Sequence, residues 1–173
     1  MAAKMDVITF TATGHVMAAD VRQDTGGGSP DAATLVGTGL LLRDPFTGDT
    51  RITLPPDRLS VTSIDLREDV LMTAQRFAIV DGLPEVPAGN GLPAVALAGG
   101  QVRVTLPGGD LAADDLETWV YIDGGVQPVV QQVGIAKAAN SGAEPLSLTA
   151  GNYRALVLVP GYLMAIQDVV AAP

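Results

Sequence analysis

The chain is a succession of short apolar runs cut every few residues by Gly, Pro or Asp, and this punctuation limits what it can fold into. With 20 glycines and 12 prolines spread along 173 residues, a long helix has almost no uninterrupted stretch to occupy, since Gly and Pro are the two worst residues for a helix interior. Asp adds to the punctuation by bonding to nearby backbone, which draws it to turns. Between the interruptions many runs alternate, and a two-residue period is that of a strand with one face buried. The expectation is an all-β fold, an antiparallel β-sandwich of immunoglobulin-like or jelly-roll-like type, with one short helix at most.

Met5 to Val21 reads as a strand pair bent at Gly14, and Gln23 to Pro30, with its triple glycine, as a surface loop. Thr34 to Arg43 is expected as a strand that turns through Asp44 to Asp49 into Arg51 to Leu54, where Pro45 presets φ and Gly48 takes a positive one. Ser60 to Val80 carries conflicting signals. Asp65 and Glu68 stand at capping-box spacing and Leu66, Val70, Ala74 and Phe77 at helical spacing, yet Leu71, Thr73, Gln75, Phe77 and Ile79 alternate. In a β-rich chain the alternation is preferred, so a strand is expected from Val70 to Val80, closed by Asp81-Gly82.

Leu83 to Leu92 holds two prolines and reads as an irregular connection. The chain is therefore expected to be a single β-rich domain over residues 1–173, or two halves joined near residues 83–92. Ala94 to Ala98 and Gln101 to Leu106 flank Gly99-Gly100 and form the clearest hairpin. Pro107 to Asp115 reads as a polar turn, Thr118 to Ile122 and Val126 to Ile135 as strands, Ala136 to Pro145 as a loop, and Leu146 to Thr149 as a short strand. Tyr153 to Val159 is expected to be a central strand covered on both faces, and Tyr162 to Val170 a final one.

Composition narrows the chemistry. The absence of cysteine removes disulfides, thiolate metal sites and thiol nucleophiles together. A formal charge of -9 repels phosphates and anionic head groups, so neither nucleic acid nor membrane is an expected partner. No apolar stretch approaches the ~20 residues of a spanning helix. Met1 to Phe10 lacks a basic region followed by an apolar one, so the expectation is a protein made in the cytoplasm without a classical export address.

Candidate site residues are few. His15 is the single imidazole; catalysis would need it beside a carboxylate and Ser29, Ser60 or Ser63, and it reads instead as a partly exposed strand histidine. Trp119 and Tyr121, two apart, share a strand face, where they would stack on a sugar, anchor a protein interface or fill a core. Asp110, Asp114, Asp115 and Glu117 lie within eight positions, and Asp44 and Asp49 bracket a turn. Either group has the oxygen chemistry for Ca²⁺, although solvated turn acids read the same way and no EF-hand spacing is present. Gly26 to Gly28 lacks the following Gly-Lys-Ser/Thr of a phosphate loop, and no cofactor is expected.

Thin site chemistry in an apolar, strand-forming chain points to assembly, because strand edges and aliphatic patches invite partners. The expected role is a non-enzymatic structural subunit of a larger multi-protein particle, such as a phage-like capsid, decoration or tail component. It would act as a homo-oligomer or in a heteromeric assembly, with Gln23 to Pro30 and Leu83 to Leu92 as contact arms. The alternatives are a carbohydrate- or Ca-dependent binding module and, third, a carboxylate-based hydrolase.

Overall fold

In the computed structural model, which describes residues 3–22, 28–43, 51–125 and 127–172, the chain is all-β, with its strands in several antiparallel sheets and two short helices. It resolves into two compact units, one of Met1–Leu42 and Thr53–Pro87, the other of Arg43–Ile52 and Ala88–Pro173.

The first unit begins with β1 (Lys4–Phe10) and β2 (Val16–Arg22), an antiparallel pair bent at Gly14. Gly14 sits at φ 71°, and a Cβ there would stand 2.9 Å from the Ile79 carbonyl oxygen, so glycine answers both the backbone angle and the lack of room. The strand expected from Thr34 is instead a helix, α1 (Ala32–Val36), followed by β3 (Leu40–Arg43). Asp31 caps the helix by accepting the Thr34 N–H at 2.7 Å, and Gly37 ends it at φ 62°. Capping at both ends outweighs the β-branched Thr34 and Val36. β4 (Arg51–Leu54) pairs with β3 as expected; the turn acids Asp44 and Asp49 lie outside the described residues, as do residues 23–27. β5 (Leu59–Asp65) then joins β1, giving the sheet order β2-β1-β5.

The strand expected over Val70 to Val80 is also corrected. The chain forms α2 (Glu68–Met72), a 3-10 turn at Ala74–Arg76, and only then β6 (Ala78–Val80). Helical spacing prevails because it lays Val70 and Phe77 against Met5, Val7, Val16 and Ile64, which form one face of the sheet. The capping box does not form. Arg67 stands at the N-cap, its guanidinium bonded to the Asp69 carboxylate and placed 5.5 Å from the Phe77 ring centre. β7 (Leu83–Glu85), within the stretch expected to be irregular, returns along β6 through a two-residue Asp81-Gly82 turn at φ 50° and 81°. Val80 faces Leu83, so the next pair, Ile79 and Pro84, turns its backbone groups outward. The Ile79 N–H donates to the Gly14 carbonyl at 2.8 Å, and the Pro84 carbonyl accepts from Arg67 at 2.8 Å.

The second unit opens with the expected hairpin, β8 (Ala94–Ala98) and β9 (Gln101–Thr105), through Gly99 and Gly100 at φ 59° and 70°. β10 (Leu116–Asp123), β11 (Val129–Ile135), β12 (Ser141–Pro145), β13 (Gly151–Leu158) and β14 (Ala165–Ala171) follow. They make two sheets, β12-β9-β8 and β11-β10-β13-β14, whose inward side chains, Val102, Val104, Val120, Val133 and Val157 among them, share one core. Each such valine withdrawn from water contributes about 1.5–3 kcal/mol. β13 lies between β10 and β14 and is buried without a break from Ala155 to Leu158, as the continuous apolar run anticipates.

Two departures from expectation occur here. Ser141 to Pro145, read as loop, is a strand because β9 supplies its pairing partner, with Ala143 opposite Arg103. Leu146 to Thr149, read as strand, is not one; Leu146 and Leu148 pack on the core edge instead. The sheets approach along two edges, β11 against β12 and β14 against β8. At the first, a Cβ on Gly142 would lie 1.9 Å from the Gly134 carbonyl oxygen, so only bare backbone fits. At the second, the Gln167 side chain serves as a substitute peptide, its Nε2 donating to the Pro93 carbonyl at 2.7 Å and its Oε1 accepting the Val95 N–H at 3.2 Å. Among the described residues no helix is long and apolar enough to cross a membrane.

Candidate functional site

Trp119 and Tyr121 lie on β10 and share the face turned away from Val120 and Ile122, as their spacing requires. Across that face Trp119 sits opposite Leu158 and Tyr121 opposite Leu156. Tyr121 is only 3% exposed, and Trp119 is half-buried. The pair therefore does not present two open rings, and Tyr121 is a packed side chain.

The four clustered acids do not converge as a group, although Asp114 and Asp115 both meet Lys137. The Asp115 carboxylate accepts the Lys137 N–H at 2.8 Å, while Asp114 meets the Lys137 Nζ at 3.3 Å. Asp110 turns to Tyr162, whose hydroxyl donates to it at 3.3 Å, and Glu117 is exposed on β10 opposite Gly134. Among the described residues no three His, Cys, Asp or Glu side chains are placed to hold a metal ion. The Tyr162 hydroxyl is held above its ordinary pKa of 10.0, first by burial and then by the charge and hydrogen bond of Asp110.

His15 is buried, at 1% exposure, where a partly exposed position was expected. Its Nδ1 lies 2.8 Å from the Thr13 hydroxyl, and its backbone forms an isolated bridge with Ala78, which carries β6 onto the start of β2. Ser60 is engaged with Thr9, 2.8 Å between hydroxyls, and Ser63 stands on β5 opposite Asp6. The charged row Asp123, Arg154 and Asp168 crosses β10, β13 and β14 and borders an open depression of about 460 Å³; Arg154 Nε lies 3.7 Å from Asp168.

Two surface features stand out more than any polar cluster. The first is the β6–β7 hairpin and the residue after it, where Val80, Leu83 and Val86 are 46%, 62% and 55% exposed, beside the exposed acids Asp81 and Glu85. The second is the outward face of the β12-β9-β8 sheet. A half-solvated sheet ordinarily turns polar residues outward, and the middle strand does so with Gln101, Arg103 and Thr105, yet β8 turns out only Ala94, Ala96 and Ala98, and β12 adds Ala143 and Pro145 beside Ser141. Arg103, in the middle strand and opposite both Ala96 and Ala143, is the sole charge on those three strands' outward positions, and it makes no ion pair among the described residues.

Sequence reasoning named Leu83 to Leu92 as a contact arm but did not single out Val80 or Arg103. The alternation Ala-Val-Ala-Leu-Ala held the signal for the second feature, since burying Val95 and Leu97 forces every alanine outward. No model of a known protein family matches the chain, and no curated protein matches it.

Proposed function

We propose that the chain is a non-enzymatic structural subunit of a larger multi-protein particle, of the kind that forms a phage-like capsid, decoration or tail component. The observation that carries this reading is the exposed apolar hairpin, with the cross-strand pair Val80 and Leu83 open to solvent on a short, paired ribbon and Val86 exposed just after it. Apolar side chains held side by side and open to water on a paired element are the chemistry of a contact surface. The inventory of polar groups agrees, because three of the clustered acids are already engaged, Asp114 and Asp115 by Lys137 and Asp110 by Tyr162.

The second unit is read here as an immunoglobulin-like sandwich, a module suited to repetitive building. Counted from β8, strands one, two and five form one sheet and four, three, six and seven the other. That order differs from the seven-strand immunoglobulin arrangement only in placing the fourth strand beside the third rather than beside the fifth. A further support is Tyr153, near the start of the sixth strand, whose hydroxyl donates to the Thr149 carbonyl at 2.8 Å in the manner of a tyrosine corner.

The test is the native mass of the purified chain across a wide range of concentration, by light scattering or native mass spectrometry. An assembly subunit gives multiples of 17.7 kDa that grow with concentration, or a stoichiometric complex with a second structural protein. A constant 17.7 kDa species with no such complex refutes the proposal.

A further inference from the structure

From the two surface features we infer that copies of this chain associate head to tail, with the apolar β6–β7 hairpin of one copy seated on the alanine face around Arg103 of the next. This rests on the assembly reading above and names its contact. The alanines of β8 leave a strip of low relief beside Arg103, and Val80 and Leu83 are the exposed cross-strand pair that the hairpin presents. Charge selects the partner. Arg103 is the one charge among the outward positions of its three strands, flanked on β9 by Gln101 and Thr105, while the hairpin carries Asp81 and Glu85 beside its apolar pair.

The same charge disfavours the simplest alternative. If two alanine faces met about a two-fold axis, Arg103 of each copy would be driven toward its counterpart in a surface with no acid to separate them. Two hairpins meeting each other would bring Asp81 and Glu85 together from both sides. A heterologous contact places opposite charges against one another, and such contacts generate rings or open filaments rather than closed dimers.

The experiment uses the full chain and follows assembly against concentration by sedimentation velocity, for wild type, Arg103→Glu, Glu85→Arg, and an equimolar mixture of the two variants. Both positions are exposed, and circular dichroism checks that each variant keeps the wild-type fold. Each single variant is expected to need at least about tenfold higher concentration to assemble, since it sets like charges across the contact. The mixture is expected to recover, because the two substituted side chains then meet with their charges exchanged, and the reverse contact is native. Raising salt to about 0.5 M is expected to weaken the wild-type assembly and to narrow its difference from the variants.

If the wild type assembles and Arg103→Glu assembles equally well, the docking mode is wrong while the subunit reading stands. A mixture that fails to recover also overturns the docking mode. A wild type that stays monomeric at every concentration overturns it too, and then the search for a second structural protein decides the broader reading.

Discussion

Replacing Gly142 by alanine tests whether the second unit closes at its β11–β12 edge through bare backbone. The new Cβ would lie 1.9 Å from the Gly134 carbonyl oxygen, 2.8 Å from its carbon and 3.2 Å from Ile135 Cγ1. Ordinary contact begins near 3.4 Å, so the two strands must separate by about 1.5 Å, and neither obstacle at Gly134 is a side chain that could rotate away. Insertions of this kind into close packing cost about 1–3 kcal/mol. Alanine returns about 0.4–1 kcal/mol by restricting the unfolded chain, because Gly142 does not use a positive φ. The net expectation is a loss of about 1–2 kcal/mol, and each kcal/mol lowers the melting temperature of a unit of this size by about 4–8 °C.

Trp119, the single tryptophan, lies in the same unit, so its fluorescence in a urea or thermal melt reports this change directly. Gly134 supplies the control, since a Cβ there meets nothing within 4 Å. Gly134→Ala is therefore expected to be neutral or slightly stabilising, although the two glycines face each other. A Gly142→Ala variant as stable as wild type, or a Gly134→Ala variant that loses as much, would refute the reasoning.

Tyr153→Phe removes a hydroxyl bonded to Thr149 and is expected to cost about 0.5–1.5 kcal/mol, read from the shift of the urea midpoint at constant slope. Gln167→Leu strips the Val95 N–H and Pro93 carbonyl of their partners; the Val95 amide should then exchange its hydrogen markedly faster, and unchanged protection would contradict the bridging role. Because the folded-state pKa of Tyr162 is raised above 10.0, its contribution is complete below pH 10 and is lost as pH rises through the folded value. Absorbance near 295 nm should show the Tyr162 ionisation late, and Tyr162→Phe should remove both that step and its share of the alkaline loss.

Turns were the most readable part of the fold. Asp81-Gly82 and Gly99-Gly100 state their own geometry, because few residue pairs accept two positive φ angles in succession. Length and pairing were harder. Ser141 to Pro145 has little strand propensity and becomes a strand through what β9 offers it, a fact held elsewhere in the chain. Between Val70 and Val80 both periods were present, and the choice depended on a sheet face formed by Met5, Val7, Val16 and Ile64, some of it more than sixty residues upstream. The clustered acids illustrate the limit for sites. Asp114 and Asp115 both meet Lys137, one its side chain and the other its backbone, while Asp110 turns to Tyr162, so nearness in sequence did not bring all of them to one point.

Pro84 sits buried in the middle of β7 with its backbone groups turned away from β6, on the side where a further strand would pair. Its ring nitrogen has no hydrogen, and Arg67 already occupies its oxygen. A second chain that met this ribbon would therefore have to recognise it by shape and charge, since the middle of β7 offers no free N–H for a further strand to pair with.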